Sequence, residues 1–262
     1  MKLLFVGDIV GKPGRRAVQA LLPKWRQEQG LDLVVANAEN AAGGNGLTEA
    51  IAKELTQSGV DWMTTGNHVW DQKEFVEEIE RVPNVIRPAN LPKGTPGRGW
   101  AIAQTKNGTP VALLNLGGGL FFNQYRNPFE CAEELLPLLQ EQAKVVLVDF
   151  HAEATSEKIA LGRMLDGRAS LLVGTHTHVP TADEQIFPNG TAYITDVGMT
   201  GPYDSVIGVE SSAVIRKFLT QMPVKFQTAK GDPRLCGVLV EIEDDTGRAT
   251  RIERVNAPLD GE

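Results

Sequence analysis

The chain has 262 residues and four histidines, His68, His151, His176 and His178, and each stands where it could bind a metal ion or move a proton. Gly7-Asp8 follows the first apolar run. Asn37-Ala38-Glu39-Asn40 follows the second, and Gly66-Asn67-His68 follows the third. His151 ends another, and Gly174-Thr175-His176-Thr177-His178 ends a fifth. Carboxylates, amide oxygens and imidazoles together suit divalent Mn, Fe or Zn. No thiolate stands near these motifs, which argues against a cysteine-based zinc site. Two ions roughly 3.5–4 Å apart, sharing a carboxylate, can clamp the attacking and leaving oxygens of a phosphoryl transfer. In extended chain His176 and His178 would point to one side, so the pair could reach two adjacent metals. Taken singly, these residues have plainer readings. Asp8 would be a cap or turn residue, Asn67 a turn residue and His151 a satisfied half-buried histidine. Glu39 resists that reading, because a polar cluster after an apolar strand needs partners if it is buried. The combination is far more specific than any member.

The elements that must position these groups follow from hydrophobic pattern. Residues 3–6, 31–36 and 60–64 read as buried strands, separated by helical spacing over 16–29 and 48–58 and followed by a helix over 73–81. Such alternation favours a parallel sheet covered by helices. The middle of the chain changes character. Asn-Gly and Asp-Thr-Gly turn signals predict hairpins around 106–108, 188–190 and 244–247. Further strands are expected over 144–150 and 170–173, and helices over 128–142, up to 165, and over 211–220. The expected architecture is therefore α/β: two mixed sheets packed on each other and flanked by helices. In open α/β sheets ligands bind beyond the carboxyl ends of the strands. The polar groups named above all stand at such ends.

Composition narrows the rest. The net charge of −7 argues against a broad basic footprint for duplex nucleic acid. Cys131 and Cys236 make no disulfide framework and read as small buried residues, which fits a reducing compartment. The N-terminal apolar run is too short for a signal peptide, and no window approaches a membrane span. The expected location is the cytoplasm, with no membrane partner. No linker or repeat divides the chain, so residues 1–262 are expected to form a single domain. Oligomeric state is not readable and a homo-oligomer stays open.

The ordered blocks resemble those of calcineurin-like metallophosphoesterases. Two departures point to one branch. Ile9 and Val10 follow Asp8 where the commoner pattern has Asp-x-His, and Asn37-Ala38-Glu39-Asn40 replaces the commoner Gly-Asp block. Both are similar to the YmdB-like phosphodiesterases. So are Arg87-Pro88-Ala89-Asn90, Gly94-Thr95-Pro96-Gly97-Arg98-Gly99, Asn127-Pro128-Phe129 and the stretch Thr195-Asp196-Val197-Gly198-Met199-Thr200-Gly201-Pro202.

The resemblance implies a four-layer α/β/β/α sandwich and two divalent metal ions, iron or manganese ahead of zinc. It implies a phosphodiesterase whose substrates are small phosphodiesters such as 2′,3′-cyclic nucleotides. Carried over by position, Asp8, Asn40 and His178 would bind one metal, Asn67, His151 and His176 the other, and Glu39 would bridge. His68 would be the general acid, with a metal-bridging hydroxide attacking phosphorus. Two alternatives stand beside this: a metal-stabilised regulatory scaffold that binds a nucleotide or a protein, and a phosphomonoesterase or pyrophosphatase with the same site. Substrate contacts are expected from the glycine-rich loop 117–126, which could stack a base, and from Met199, Thr200 and Tyr203. Arg15 and Arg16 read as solvated helix charges.

Overall fold

Period-two alternation along the first strand, β1 (Lys2–Val6), divides its side chains between two cores. Leu4 and Val6 enter one, Leu3 and Phe5 the other. The computed structural model describes residues 1–259. In chain order β1 is followed by β2 (Asp8–Ile9), α1 (Gly11–Glu28), β3 (Leu33–Asn37), α2 (Glu49–Gln57), β4 (Trp62–Thr64), α3 (Phe75–Glu78), β5 (Trp100–Gln104) and β6 (Pro110–Gly117). Then come α4 (Pro128–Gln140), β7 (Val145–His151), α5 (Thr155–Met164), β8 (Leu171–Thr175), β9 (Gln185–Ile186) and β10 (Ala192–Ile194). The chain continues with β11 (Met199–Pro202), α6 (Ser211–Thr220), β12 (Pro233–Ile242) and β13 (Ala249–Pro258).

One sheet has the order β2-β11-β12-β1-β3-β4, with β13 paired to β12, and the other β5-β6-β7-β8-β10-β9. Both are mixed. β1, β3 and β4 are parallel, as are β6, β7, β8 and β10, while β12 runs antiparallel to β1, β11 and β13. Leu3, Phe5, Val35 and Val238 meet Leu113, Leu147 and Val173 between the sheets. Ala17, Val18 and Leu22 of α1 and Leu55 of α2 cover the outer face of the first sheet. Leu136 and Leu139 of α4 and Leu161 of α5 cover the second. This is the four-layer α/β/β/α sandwich that the pattern and the resemblance led us to expect.

Local chemistry explains the helix starts. Thr48 Oγ1 accepts the Ile51 N–H at the head of α2. Asn127 caps α4 through the Phe129 N–H at 2.9 Å, with Pro128 in the first turn. The stretch 73–81 is broken into α3 and a 3₁₀ turn over Ile79–Arg81 rather than one helix. Two short strands escape the sequence pattern. β2 pairs with β11 through Met199↔Asp8 and Thr200↔Ile9, a contact too short to leave a periodic signal. It nonetheless fixes Asp8. Among the described residues no helix is long and apolar enough to cross a membrane.

Candidate metal centre

The carboxyl ends of five strands bring the expected side chains together. Asp8 lies in β2, while Glu39 and Asn40 follow β3 and Asn67 and His68 follow β4. His151 closes β7, and His176 and His178 follow β8. Glu39 lies among them, fully buried. Its Oε1 is 3.0 Å from His151 Nε2 and 3.1 Å from Asn40 Nδ2, and its Oε2 accepts the His68 backbone N–H at 3.2 Å. His151 Nε2 also lies 2.9 Å from Asn67 Oδ1 and 3.2 Å from His176 Nδ1. On the other side, His178 Nε2 is 3.2 Å from Asn40 Nδ2 and 3.9 Å from Asp8 Oδ1. Ligating atoms of Glu39, His151 and His176 fall within 4.8 Å of one another.

The outward nitrogen of each clustered histidine is tied to an acceptor. Thr175 Oγ1 donates to Asp149 Oδ1 at 2.8 Å, so it accepts from His151 Nδ1 at 2.9 Å. His176 Nε2 meets Glu153 Oε2 at 3.0 Å, and His178 Nδ1 meets the Ile207 carbonyl at 2.9 Å. Each outward nitrogen thus acts as a donor, so in the neutral imidazoles that a metal would require the lone pairs of His151 Nε2, His176 Nδ1 and His178 Nε2 turn inward. Metal-binding histidines are oriented in this way. Asp149, fully buried, also accepts from Thr64 and from Asn37 Nδ2, so Asn37 belongs to the support beneath the centre.

Two further features fit a cation. Asp8 Oδ1 and Asn40 Oδ1 are buried without any hydrogen-bond partner. Such oxygens are costly unless a positive charge or a donor meets them. A half-turn of the Asn40 amide would set its oxygen, a metal donor, beside Glu39 and His178, where the NH₂ now stands. At Gly66 a Cβ would come within 2.3 Å of His151 Nε2 and 2.4 Å of Glu39 Oε2, so a side chain there would fill the centre. Nitrogen and oxygen donors of this set suit divalent cations.

In the protein alone, a proton on His151 balances the buried carboxylates where a cation would otherwise do so. Burial pushes Asp8 up to about 7, against the opposing charges of His178 and His151. Burial also acts on Glu39, but the charge and hydrogen bond of His151, with help from His68, hold its carboxyl below the usual range. His151 is raised in turn, because Glu39, Asp8 and Asp149 outweigh its burial. Burial and the neighbouring His151 charge lower His176 to about 3, which keeps it neutral.

Several expectations are corrected. His176 and His178 do not reach inward from extended chain. They have φ of 96° and 66°, in the left-handed region that non-glycine residues seldom adopt. Asp196 holds that turn, accepting the Thr177 N–H and O–H at 3.2 and 2.7 Å, and itself pairs with Lys158 Nζ at 2.9 Å in a fully buried contact beneath it. Met199 and Thr200 form β11 and are buried, and neither they nor Tyr203 line the cavity beside the centre. Nor does the loop 117–126. Asn90 ties its two ends through Gly117 and Arg126, and Phe122 packs edge-on against His176 at 5.0 Å. Arg15 is half-buried, pairing with Glu54 and donating to the Ala41 carbonyl at 2.6 Å.

The cavity has a volume of about 490 Å³ and is lined by Glu39, Asn40, His68, His176 and His178, and by a second set of residues on loops. His68 is part-exposed there, its Nδ1 2.8 Å from Asp71 Oδ2. The sequence assigns no role to Asp71, Glu153 or Asp149, and it shows Thr175 and Asp196 only as members of motifs, without their supporting contacts. Asp71 stands three residues after His68 and Glu153 two after His151, so spacing could have flagged them. The others depend on distant segments meeting.

Comparisons with known proteins agree with this geometry. The model of the family described as YmdB-like protein matches residues 4–255. A Bacillus subtilis protein named 2′,3′-cyclic-nucleotide 2′-phosphodiesterase is 50% identical over 255 residues, covering 97% of this chain and 96% of its own length. A Thermus thermophilus crystal structure of a hypothetical protein superposes with a TM-score of 0.92 at 43% identity, covering 98% of this chain and 99% of that one. A Mycoplasma pneumoniae structure described as a novel phosphatase gives a TM-score of 0.91 at 36% identity, over 98% and 93% of the two chains.

Proposed function

The chain belongs to the YmdB-like protein family, and from that premise we propose that it is a metal-dependent phosphodiesterase acting on small phosphodiesters, with 2′,3′-cyclic nucleotides as substrates. That substrate class is the one named for the Bacillus subtilis relative. The observation that carries the reading is Glu39, a buried carboxylate 3.0 Å from His151 Nε2 and 3.1 Å from Asn40 Nδ2, within reach of both groups of donors. Asp8, Asn40 and His178 would hold one divalent ion, Asn67, His151 and His176 a second, and Glu39 would bridge them. Iron and manganese suit these donors, and zinc is also accepted. When bound, such a pair supplies Lewis acidity to the phosphoryl oxygens and a nucleophile at neutral pH.

The chain's own residues do the rest. Thr175, Glu153 and the Ile207 carbonyl orient the three imidazoles, so no reorganisation is needed when substrate arrives. His68 handles the leaving group. With Nδ1 engaged by Asp71, Nε2 is the nitrogen left to hand a proton to the departing ribose oxygen, which opens the cyclic ester to a monoester. Residues 1–262 act as one metallophosphoesterase domain in this reading, because the donors come from both sheets. The buried free thiols Cys131 and Cys236 support a reducing, cytoplasmic setting.

Metal analysis of freshly purified protein, with turnover of bis-p-nitrophenyl phosphate and 2′,3′-cAMP under Mn²⁺, tests the reading. Bound metal and hydrolysis of both diesters are expected. Bound metal without hydrolysis of any diester would replace the enzyme with a metal-stabilised scaffold.

A further inference from the structure

Beyond the polar cluster, the same cavity is walled by Phe226, Ile207 and Val209, with the amides of Asn45 and Gln227 beside them. This wall is joined directly to the centre. The Ile207 carbonyl holds His178 Nδ1 at 2.9 Å, and Thr228 Oγ1 donates to the Gly43 carbonyl in the loop that follows Asn40. The Gln227 carbonyl accepts the Glu210 N–H at 3.0 Å, which holds the Phe226 segment against residues 207–210.

Three features give this wall a chemical meaning. Phe226 is 44% exposed, and Lys217 Nζ lies 5.1 Å from its ring centroid. An ammonium over one face fixes the ring and leaves the other for a flat ligand. The side-chain amides of Asn45 and Gln227 make no hydrogen bond among the described residues, and amides pair with the donor and acceptor edges of bases. No lysine or arginine lines the cavity, so a chain of phosphates would find no cation there beyond the centre itself. The volume of about 490 Å³ suits a small organic ligand.

Resting on the phosphodiesterase reading, we propose that Phe226, Asn45 and Gln227 form a nucleobase subsite. The ring stacks on the base and the amides meet its edge. The ligand is then a nucleoside carrying a single phosphate, cyclic or open. A polyphosphate or a sugar phosphate without a base does not meet that description.

The test is calorimetric binding of adenosine 3′-monophosphate and of ribose 5-phosphate to the metal-loaded protein, read beside hydrolysis of 2′,3′-cAMP and of bis-p-nitrophenyl phosphate. Wild type should prefer the adenosine ligand by roughly 5- to 150-fold, the worth of one base–aromatic stack. Phe226→Ala should remove most of that preference, and Phe226→Trp should keep it. The paired change Asn45→Ala, Gln227→Ala should lower it without touching the ring, which covers the case of a misfolded Phe226→Ala. A preference that survives Phe226→Ala, or none in wild type, overturns the subsite. A wild type that prefers the adenosine ligand yet hydrolyses neither diester leaves the subsite standing and removes the phosphodiesterase reading. Hydrolysis of 2′,3′-cAMP with no preference in binding does the reverse.

Discussion

On the metal-binding side of the cavity every clustered histidine has its outward nitrogen tied to an acceptor, whereas the wall around Phe226 is held by few bonds and stands largely in solvent. Asp8, Glu39 and His151 are fully buried, while Ile207 is 52% exposed. The chain over 221–227 has no regular structure and follows α6, whose Phe218 and Leu219 face solvent. The two sides of the cavity divide the labour. Groups that must hold charge at fixed distances are set on strand ends and supported from below, which spares reorganisation during reaction. The groups proposed to meet the base sit on loops, where small adjustments are cheap.

Glu39→Gln removes the charge shared by both donor groups. We expect under two metal ions per chain and a rate loss beyond the roughly 10–100-fold that removal of a supporting partner costs. Full activity with two ions bound would break the bridging role. His68→Ala should lower turnover by about 10²–10⁴-fold while metal content stays near that of wild type. Loss of metal in that variant would make His68 a ligand. Thr175→Val cuts the link between His151 Nδ1 and Asp149, and metal affinity measured against a chelator should fall by about 10–100-fold. An unchanged affinity would mean that the support beneath the centre is ornamental. Met222, exposed on the loose side, should tolerate Met222→Ala within about 0.5 kcal/mol of stability in a denaturant melt. A large loss there would mean that the segment is packed more firmly than its exposure implies.

Legibility in the sequence follows the same division. Buried strands write their ends plainly, because an apolar run that stops at Asp, Glu, Asn or His marks both the strand and the side chain beyond it. Asn40 was readable only through the missing histidine after Asp8. The left-handed turn at His176 and His178 was not readable, since it is imposed by Asp196 and Lys158 from elsewhere in the chain. β11, four residues ending in Gly-Pro, was too short to carry a period. The aromatic ring was expected on the loop 117–126, whose composition suggested it. Phe226 is the phenyl ring that lines the cavity, while Phe122 of the loop packs against His176. Phe226 stands in a stretch whose residues announce neither helix nor strand and whose place depends on Gln227 and Thr228 meeting residues 210 and 43.

Anomalous scattering from crystals grown with Mn²⁺ tests the centre most directly. Two peaks are expected, one among Asp8, Asn40 and His178 and one among Asn67, His151 and His176, with the Glu39 carboxylate between them. A single peak, or peaks away from Glu39, would contradict a binuclear centre bridged by that residue.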